Sequence, residues 1–256
     1  MKLTRQYVKK PWGRESLPAI FNPPPGQRIG EVWFTSETNQ PLLAKYIFTS
    51  ERLSIQVHPD DDQARERGLP QGKNECWYIL EADPDATLGL GLKREISKDE
   101  LRSAALDGSI EELMDWRPVK SGDFFYVPAG TVHAIGAGIA LVEFQQNADV
   151  TYRLYDYGRP RELHLADGVA VARPGPYPQT LARHVDDVVG ETLVNGPHFT
   201  LLHTRADTLE GRQRWVMPLE GEVRAGNDVA MPGECLLVPA DETVTGAARM
   251  LIGANA

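Results

Sequence analysis

Short apolar runs, rich in β-branched and aromatic residues, recur along the first half of the chain with turn residues between them. Runs of this kind are typical of β-strands, because branched and aromatic side chains fit a pleated surface. The pattern predicts strands at residues 42–48, 53–58, 76–80, 124–127 and 140–144. We therefore predict a mainly β fold.

Two segments depart from the strand pattern and predict helices. Residues 60–68 are polar and follow a His-Pro pair. Residues 97–116 begin with Ser97 and carry Glu100 three positions later, which is the spacing of a capping box. Apolar side chains then recur at helical spacing, and Gly108 predicts a break. We expect this second segment to be a small helical insert that covers one end of the β-structure.

A proline-rich segment and an internal repeat predict the domain organisation. Three alternating prolines exclude a helix or a central strand from residues 173–178, which we interpret as a linker. Residues 122–129 and 233–240 share the pattern Gly-acid-x-x-x-Val-Pro-Ala, which indicates duplication. We therefore predict a first domain over residues 1–172 and a second, reduced copy of it over residues 179–256.

The two copies differ where chemistry would matter. The first octet is followed by Gly-Thr-Val and then His133, whereas no histidine follows the second octet at that spacing. We interpret the second domain as a unit that packs, covers or dimerises, and we expect the chain to act as a monomer or a homodimer.

Charge and cysteine content narrow the class of partner. The formal net charge is −9 and the sequence pI is about 5.2, so no general positive field attracts nucleic acid or an anionic membrane. Cys76 and Cys235 are the only cysteines, which excludes a disulfide framework and favours a reducing compartment. The first twelve residues are basic without a following apolar run, so we predict no secretory signal and a cytoplasmic location.

One uncharged segment approaches the length of a membrane span. Residues 124–142 contain no Asp, Glu, Lys or Arg. Pro128, Gly130, Gly136 and Gly138 interrupt this segment every few positions. Two short buried strands joined by a turn therefore explain it better than a spanning helix.

Polar residues alternate along the predicted strand at residues 53–58. Alternation places Ser54, Gln56 and His58 on one face. Gln56 and His58 can reach one cation through an amide oxygen and an imidazole nitrogen. An edge strand with its polar face in water is the alternative interpretation.

Two further segments could complete a cation site. Lys73 and Glu75 share a face with Trp77, so a carboxylate and an ammonium stand at the edge of an apolar interior, although a surface salt bridge is the alternative. His133 follows a Pro-Ala-Gly turn that sets its direction. Two imidazoles, one carboxylate and one amide oxygen form a mixed set that suits a divalent transition ion such as Zn²⁺.

Four ordered motifs resemble those of a known family. They are Gln-Val-His-Pro at 56–59, Gly-Lys-Asn-Glu-Cys-Trp-Tyr at 72–78, Pro-Ala-Gly-Thr-Val-His-Ala at 128–134 and Thr-Tyr-Arg-Leu-Tyr-Asp-Tyr at 151–157. Together they resemble the type I phosphomannose isomerases of the cupin superfamily, above all the short bacterial form. The resemblance extends from about residue 10 to residue 157, and it implies a cupin jelly-roll β-barrel followed here by the reduced cupin-like copy.

The resemblance also implies an activity and a set of site residues. The implied enzyme interconverts mannose 6-phosphate and fructose 6-phosphate by moving a proton between C1 and C2 through an enediolate. The implied ligands of one Zn²⁺ ion are Gln56, His58, Glu75 and His133. The implied catalytic residues are Arg153, Lys73 and Asp149. The other histidines lie outside any ligand-like spacing and are expected at the surface or in structural contacts: His164, His184, His198 and His203.

Two departures from the family pattern keep other functions open. Arg14 follows Lys-Pro-Trp-Gly where the family commonly has a second glycine, and the part of the chain after residue 157 is short. The family's phosphate-binding positions find no match. The alternatives are a related cupin isomerase or epimerase that acts on another sugar, and a non-catalytic sugar-binding cupin.

Overall fold

Antiparallel sheets stacked in layers make up the fold, and short helices lie at their edges. The structure, a computed structural model, describes residues 1–185, 190–246 and 248–256. The mainly β prediction is confirmed.

The front sheet forms one wall of the first barrel. Its strands follow in space as β1 (Thr4–Arg14), β2 (Ile29–Thr35), β3 (Leu42–Phe48), β10 (Ile139–Gln146), β5 (Glu75–Ala82), β8 (Asp123–Val127) and β12 (Ala182–His184). Neighbours pair antiparallel throughout. The strand predicted at 42–48 is confirmed at both ends.

The back sheet faces the front sheet across an apolar cluster. Its strands follow in space as β11 (Tyr152–Tyr155), β4 (Ile55–Val57), β9 (His133–Ile135), β6 (Thr87–Leu92) and β7 (Met114–Pro118). Ile47 and Trp77 of the front sheet pack with Leu88 and Ile135 of the back sheet in one buried cluster. Ile47, Trp77 and Ile135 of this cluster also line a cavity between the two sheets.

The helices lie outside the barrel. They are α1 (Asp61–Arg65), α2 (Lys98–Asp107), α3 (Ile110–Leu113) and α4 (Leu165–Val171), with one 3-10 turn at Gln179–Leu181. Ser97 caps α2 by accepting a hydrogen bond from the Glu100 backbone N–H, and Gly108 ends the helix with φ of 86°. The Glu100 side chain pairs with Arg94 instead of returning to the cap. The predicted helical insert therefore forms, with only half of its capping box.

Several predicted elements have different bounds, and the strand predicted at 53–58 is confined to β4. The helical insert stops at residue 113, and the chain from Met114 enters β7, because Trp116 and its neighbours pair with β6. The helix predicted at 60–68 is confined to α1. The uncharged segment at 124–142 enters three strands, β8, β9 and β10, where two were predicted, because Gly136 and Gly138 allow a second reversal.

The last part of the chain repeats the first barrel in reduced form. One sheet has the order β13 (Glu191–Asn195), β14 (Phe199–Thr204), β20 (Arg249–Asn255), β15 (Arg214–Glu220) and β18 (Leu236–Val238). A smaller sheet has the order β17 (Asp228–Ala230), β16 (Val223–Ala225) and β19 (Val244–Gly246). The first order reproduces β2-β3-β10-β5-β8 position by position.

The turns before β8 and β18 carry the same local structure. Gly122 and Gly233 both have φ of 87°, a conformation that favours glycine. The following acid side chain, Asp123 or Glu234, accepts a hydrogen bond from the backbone N–H three residues earlier at 2.9 Å. The internal repeat inferred from the two octets is thus present in the geometry of the turn.

The predicted linker is bound along the first barrel. Leu92 N–H donates to Gly175 O at 2.9 Å, and the Tyr177 hydroxyl donates to Tyr126 O at 2.7 Å. β12 follows the linker and completes the front sheet by pairing with β8. The division into domains at residues 173–178 stays a prediction.

A single buried cluster joins the front sheet to the second barrel. It contains Tyr46, Phe144 and Val142 of the front sheet together with Trp215 and Leu251. Gly253 lies so close to the Phe144 ring that a Cβ there would stand 2.7 Å from a ring carbon. The second barrel itself is filled by aliphatic side chains, including Val216 and Ile252.

Leu251→Ala tests the shared cluster. Leu251 is fully buried, so we expect the free energy of unfolding to fall by about 2–5 kcal/mol, measured by urea denaturation. The control is Leu106→Ala, because Leu106 is 65% exposed on α2 and should cost less than about 0.5 kcal/mol. Equal effects of the two substitutions would contradict the described packing.

Candidate metal centre

Strand β4 occupies a central position in the back sheet, and this decides where Gln56 points. Gln56 pairs in register with His133 of β9 on one side and with Arg153 of β11 on the other. Directly opposed residues place their side chains on the same face of a sheet. Gln56 and Arg153 both line the cavity, so the alternative of a water-facing edge strand is wrong.

Glu75 reaches the same point from the front sheet. Its Oε2 lies 3.4 Å from His58 Nε2, and its Oε1 lies 3.3 Å from His133 Nε2. One ligand atom from each of these three residues lies within 4.8 Å of the others. All three side chains are buried, with exposures of 2% or less. The predicted convergence of His58, Glu75 and His133 is therefore present in the fold.

The fourth predicted ligand stands beside them. Gln56 Nε2 lies 3.2 Å from His133 Nε2, and Ser54 Oγ donates to Gln56 Oε1 at 3.1 Å. The two ends of an amide are interchangeable by rotation, and the hydroxyl of Ser54 can accept as well as donate. The rotated amide would present its oxygen beside His133, as a metal ligand requires.

Tight backbone packing fixes the segments that carry these side chains. A Cβ on Gly72 would stand 2.4 Å from the carbonyl carbon of Asp60, so only glycine permits this approach. Lys73 N–H donates to Pro59 O at 3.0 Å, and Gly130 N–H donates to His58 O at 2.8 Å. The backbones around the three ligands are thus bonded to one another.

Burial keeps both imidazoles neutral. Desolvation, with the nearby charge of Lys73, lowers the pKa of His58 to about 3, and desolvation likewise lowers the pKa of His133. Burial alone would raise the pKa of Glu75, but the nearby charge of Lys73 outweighs burial, so the pKa of Glu75 lies well below its ordinary value. Two neutral imidazoles and one carboxylate are the protonation states that a metal ligand set needs.

The donor set fits a divalent transition ion. Within the described part of the chain, neither ring nitrogen of the buried His58 has a hydrogen-bond partner. His133 Nδ1 lies 2.9 Å from Thr131 O, which fixes the ring and leaves Nε2 facing Glu75. Two nitrogens and one or two oxygens suit Zn²⁺ and related ions.

The three predicted catalytic residues lie around the same cavity, which has a volume of about 270 Å³. Lys73 Nζ lies 3.2 Å from Glu75 Oε2, and both side chains are buried, so the alternative of a surface salt bridge is wrong. Arg153 donates from Nη1 to Glu162 O at 2.5 Å, and burial is the first cause that lowers its pKa. Asp149 is exposed at the mouth.

A buried charge cluster in the cavity wall was not predicted from the sequence. Lys45 Nζ lies 3.3 Å from Glu31 Oε2 and 3.1 Å from Glu143 Oε1. Lys10 Nζ lies 3.0 Å from the other oxygen of Glu31. Trp77 Nε1 donates to Glu143 Oε2 at 3.1 Å. A single charge inside an otherwise apolar strand, as in Leu42–Phe48, is the signal that could have found Lys45.

The pKa values in this cluster follow from burial and pairing. Burial opposes ionisation of Glu31, but Lys45 and Lys10 outweigh it and hold its pKa down to about 2. Burial and the nearby Glu75 raise the pKa of Glu143 to about 7, against the opposing effect of Lys45. Burial lowers the pKa of Lys45, but Glu143 and Glu31 raise it above its ordinary value.

Arg161 is a second residue that sequence reasoning did not assign to the site. It lines the cavity mouth, and Asp156 holds it through Nε at 2.6 Å and Nη2 at 2.7 Å. Asp156 is buried and also accepts from Arg159. Among the described histidines, only His58 and His133 belong to the three-ligand group.

The fold and this site together define a class of protein. A two-sheet barrel with a His, Glu, His centre in its interior, repeated in reduced and apolar form, is a cupin fold with a metal-type site in its first copy. The prediction of a cupin barrel with a helical insert and a second cupin-like unit is confirmed.

Within that class, the chain is similar to mannose-6-phosphate isomerases, as the motifs indicated. It is 42% identical over 172 residues to mannose-6-phosphate isomerase ManA of Bacillus subtilis and 43% identical over 169 residues to mannose-6-phosphate isomerase of Streptococcus mutans. Each match covers 63% of this chain, and 54% and 53% of the respective relative. The chain thus spans about half the length of the curated relatives that it matches.

The structural comparison extends over the whole chain. The crystal structure of mannose 6-phosphate isomerase from Bacillus subtilis aligns with a TM-score of 0.79 and 29% identity, covering 98% of both chains. A variant of phosphomannose isomerase from Salmonella typhimurium aligns with a TM-score of 0.73 at 16% identity, covering 99% of this chain and 98% of the other, which shows the common fold. No protein-family model matches the chain.

The uncharged segment noted in the sequence belongs to the barrel. In the parts of the chain that the structure describes, no helix has both the length and the apolar composition needed to cross a membrane.

Lys45→Met tests the buried charge cluster. The substitution leaves two buried carboxyl groups without their shared cation, so we expect a loss of about 3–5 kcal/mol in the free energy of unfolding near neutral pH. In the unaltered protein, Glu31 stabilises the folded state because its pKa is lowered on folding. This stabilisation is complete above the ordinary pKa of 4.5 and is lost as the pH falls toward about 2. In the variant both carboxyl groups take up protons at higher pH, so the deficit should shrink between about pH 8 and about pH 5.

Urea denaturation at several pH values measures this deficit. The control is Lys9→Met, an exposed lysine whose removal should change stability by less than about 0.5 kcal/mol at each pH. A deficit that stays constant with pH would show that lost packing, and not unpaired charge, explains the result.

Proposed function

We propose that this protein is a metal-dependent aldose-ketose isomerase that interconverts mannose 6-phosphate and fructose 6-phosphate. The observation that carries the proposal is the convergence of His58, Glu75 and His133 at the wall of a cavity that Lys73 and Arg153 also line. The similarity to curated mannose-6-phosphate isomerases supports mannose 6-phosphate as the substrate.

The charge of the cavity supports an anionic sugar as substrate. Among the described residues that line it, five are cationic: Lys10, Lys45, Lys73, Arg153 and Arg161. Four are acidic: Glu31, Glu75, Glu143 and Asp149. A bound divalent cation would leave a clear positive excess, which suits a phosphate ester despite the chain's net charge of −9.

We assign the metal to His58, Glu75, His133 and Gln56, and we propose Zn²⁺ as the ion. A bound cation of this kind supplies Lewis-acid polarisation of substrate oxygens. We further propose a cytoplasmic location, since both cysteines are free and buried.

The protein's own groups would perform the remaining steps. Exchange of an aldose and a ketose moves a proton between C1 and C2 and places negative charge on oxygen. Arg153 stays protonated at physiological pH, stands in register beside Gln56, and would stabilise that charge. Its buried Nε has no hydrogen-bond partner within the described residues, which leaves a donor for the substrate.

Proton transfer requires a group that can both give and take a proton. Among the side chains, Lys73 and Asp149 are the candidates from the sequence, and both line the cavity. Lys73 is buried against Glu75, so loss of its proton would leave the neighbouring carboxylate without its cation. Asp149 is exposed and free of that penalty. We therefore favour Asp149 as the base and Lys73 as a group that holds charge near the substrate oxygens.

Metal removal tests the central claim. Chelated protein should lose isomerisation of mannose 6-phosphate and recover it with Zn²⁺, whereas chelated His58→Ala should not recover at the same Zn²⁺ concentration. His184→Gln, a histidine on β12 away from the cavity, is the control and should behave as the unaltered protein. Full turnover by metal-free protein would overturn the proposal. Faster turnover of another sugar would instead favour the alternative function, a related cupin isomerase or epimerase.

Arg153→Ala tests the assigned role of the arginine. We expect kcat to fall by about 10²- to 10³-fold, because a fixed donor for the developing charge is lost. The zinc content should stay unchanged, since Arg153 is not among the metal-type ligands. Arg102→Ala, at an exposed position of α2, is the control. Unchanged kcat in Arg153→Ala would remove Arg153 from the mechanism.

A further inference from the structure

A chain of polar side chains lies behind the metal centre, and the mechanism above uses none of its members. It consists of Asn74, Gln146 and Asp61, which we call the Asn74 network. Asn74 stands between Lys73 and Glu75 in sequence, but its side chain bonds away from the cavity. Asn74 and Gln146 are buried, with exposures of 5% and 4%.

Asn74 bonds two different elements at once. Its Nδ2 donates to Gln146 Oε1 at 2.8 Å, and its backbone N–H donates to the same oxygen at 2.9 Å. Its Oδ1 accepts from the backbone N–H of Ala129 at 3.0 Å. Ala129 belongs to the Pro-Ala-Gly turn that leads to His133. Asn74 therefore connects the segment carrying Glu75 with the segment carrying His133.

Gln146 and Asp61 extend the connection to the third ligand. Gln146 Nε2 donates to Asp61 Oδ1 at 2.9 Å, and the Gly72 backbone N–H donates to the same oxygen at 2.8 Å. Asp61 begins α1, directly after the His58-Pro59 segment. The network thus reaches all three segments that deliver His58, Glu75 and His133.

The Asn74 network can stabilise one relative arrangement of the three ligand segments. The three ligand segments come from both sheets and from distant parts of the sequence, and one carboxylate and two neutral imidazoles attract one another only weakly without a metal ion. Buried amide groups that are fully hydrogen-bonded stabilise one arrangement, because any displacement leaves a polar group unpaired. Partners outside the ligand set commonly tune metal affinity in this way.

We propose that the Asn74 network is a positioning device that holds the three ligand segments at metal-binding separation and so sets the affinity of this site for its divalent ion. This inference rests on the proposed metal site. Its members act through the ligands and contact neither metal nor substrate.

The test measures metal binding and not turnover. Zn²⁺ affinity is determined by competition with a chromophoric chelator, and the absorption spectrum of the Co²⁺-loaded protein reports the ligand geometry. Asn74→Leu and Asp61→Ala should each weaken Zn²⁺ binding by about 10- to 100-fold and alter the Co²⁺ spectrum. Asp61→Asn keeps the accepting oxygen without the charge, and it should bind Zn²⁺ within about threefold of the unaltered protein.

Thr204→Val provides a matched control for general destabilisation. Thr204 is buried in β14 of the second barrel, and its hydroxyl accepts from Ala206 N–H and donates to Ala206 O. This variant should lose stability and keep Zn²⁺ affinity. If Asn74→Leu does not fold, the comparison of Asp61→Ala with Asp61→Asn still tests the proposal. The Asp61 side chain is 30% exposed, so we expect both of these variants to fold.

The possible results separate the two proposals. Unchanged Zn²⁺ affinity and Co²⁺ spectra in Asn74→Leu and Asp61→Ala would overturn the positioning role while leaving the metal site intact. Equal losses in Asp61→Ala and Asp61→Asn would also overturn it, since charge and not hydrogen bonding would then be responsible. Failure of the unaltered protein to bind Zn²⁺ would overturn both the metal site and the inference.

Discussion

A carboxylate buried between two sheets has to be neutralised, and Glu75 imposes this requirement on the structure. Removing an ionised carboxylate from water costs several kcal/mol unless cations or donors surround it. One cation, Lys73, lies 3.2 Å away, and the two nearest imidazoles are neutral because burial lowers their pKa values. A divalent ion would complete the neutralisation. The same electrostatic demand makes the site receptive to metal, and an ion bound there would connect Glu75 of the front sheet with the histidines at the back sheet.

Elsewhere in the cavity wall, buried charges are neutralised by neighbouring side chains. Lys10, Glu31, Lys45 and Glu143 alternate in sign, so each charge is held by a neighbour of opposite sign. These residues stand on strands, and their ordering is completed when the protein folds. Charges that are already oriented need little reorganisation when a substrate develops charge, which is the usual source of electrostatic catalysis. The charges of the cavity wall are thus oriented at the stage of folding.

Local signals in the sequence predict much of this structure, and long-range pairings account for what is missing. Alternation along residues 53–58 places Gln56 toward the cavity, and the repeated octet predicts matching turns at Gly122 and Gly233. The ion pair between Lys45 and Glu143 could not be predicted from local signals. It depends on the register of β3 against β10, and the two residues are almost one hundred positions apart in sequence. The end of the helical insert was misplaced for the same reason, since pairing with β6 overrides helical spacing around Trp116.

The cluster that joins Phe144 to Trp215 and Leu251 also limits how a ligand can enter. Swinging one barrel away from the other would expose these side chains to water, and Tyr177 bonds the connecting segment to the first barrel as well. Large-scale hinge closure is therefore energetically disfavoured. A ligand of the cavity in the first barrel would therefore reach it without relative movement of the two barrels, and its rate of binding would depend on diffusion and orientation.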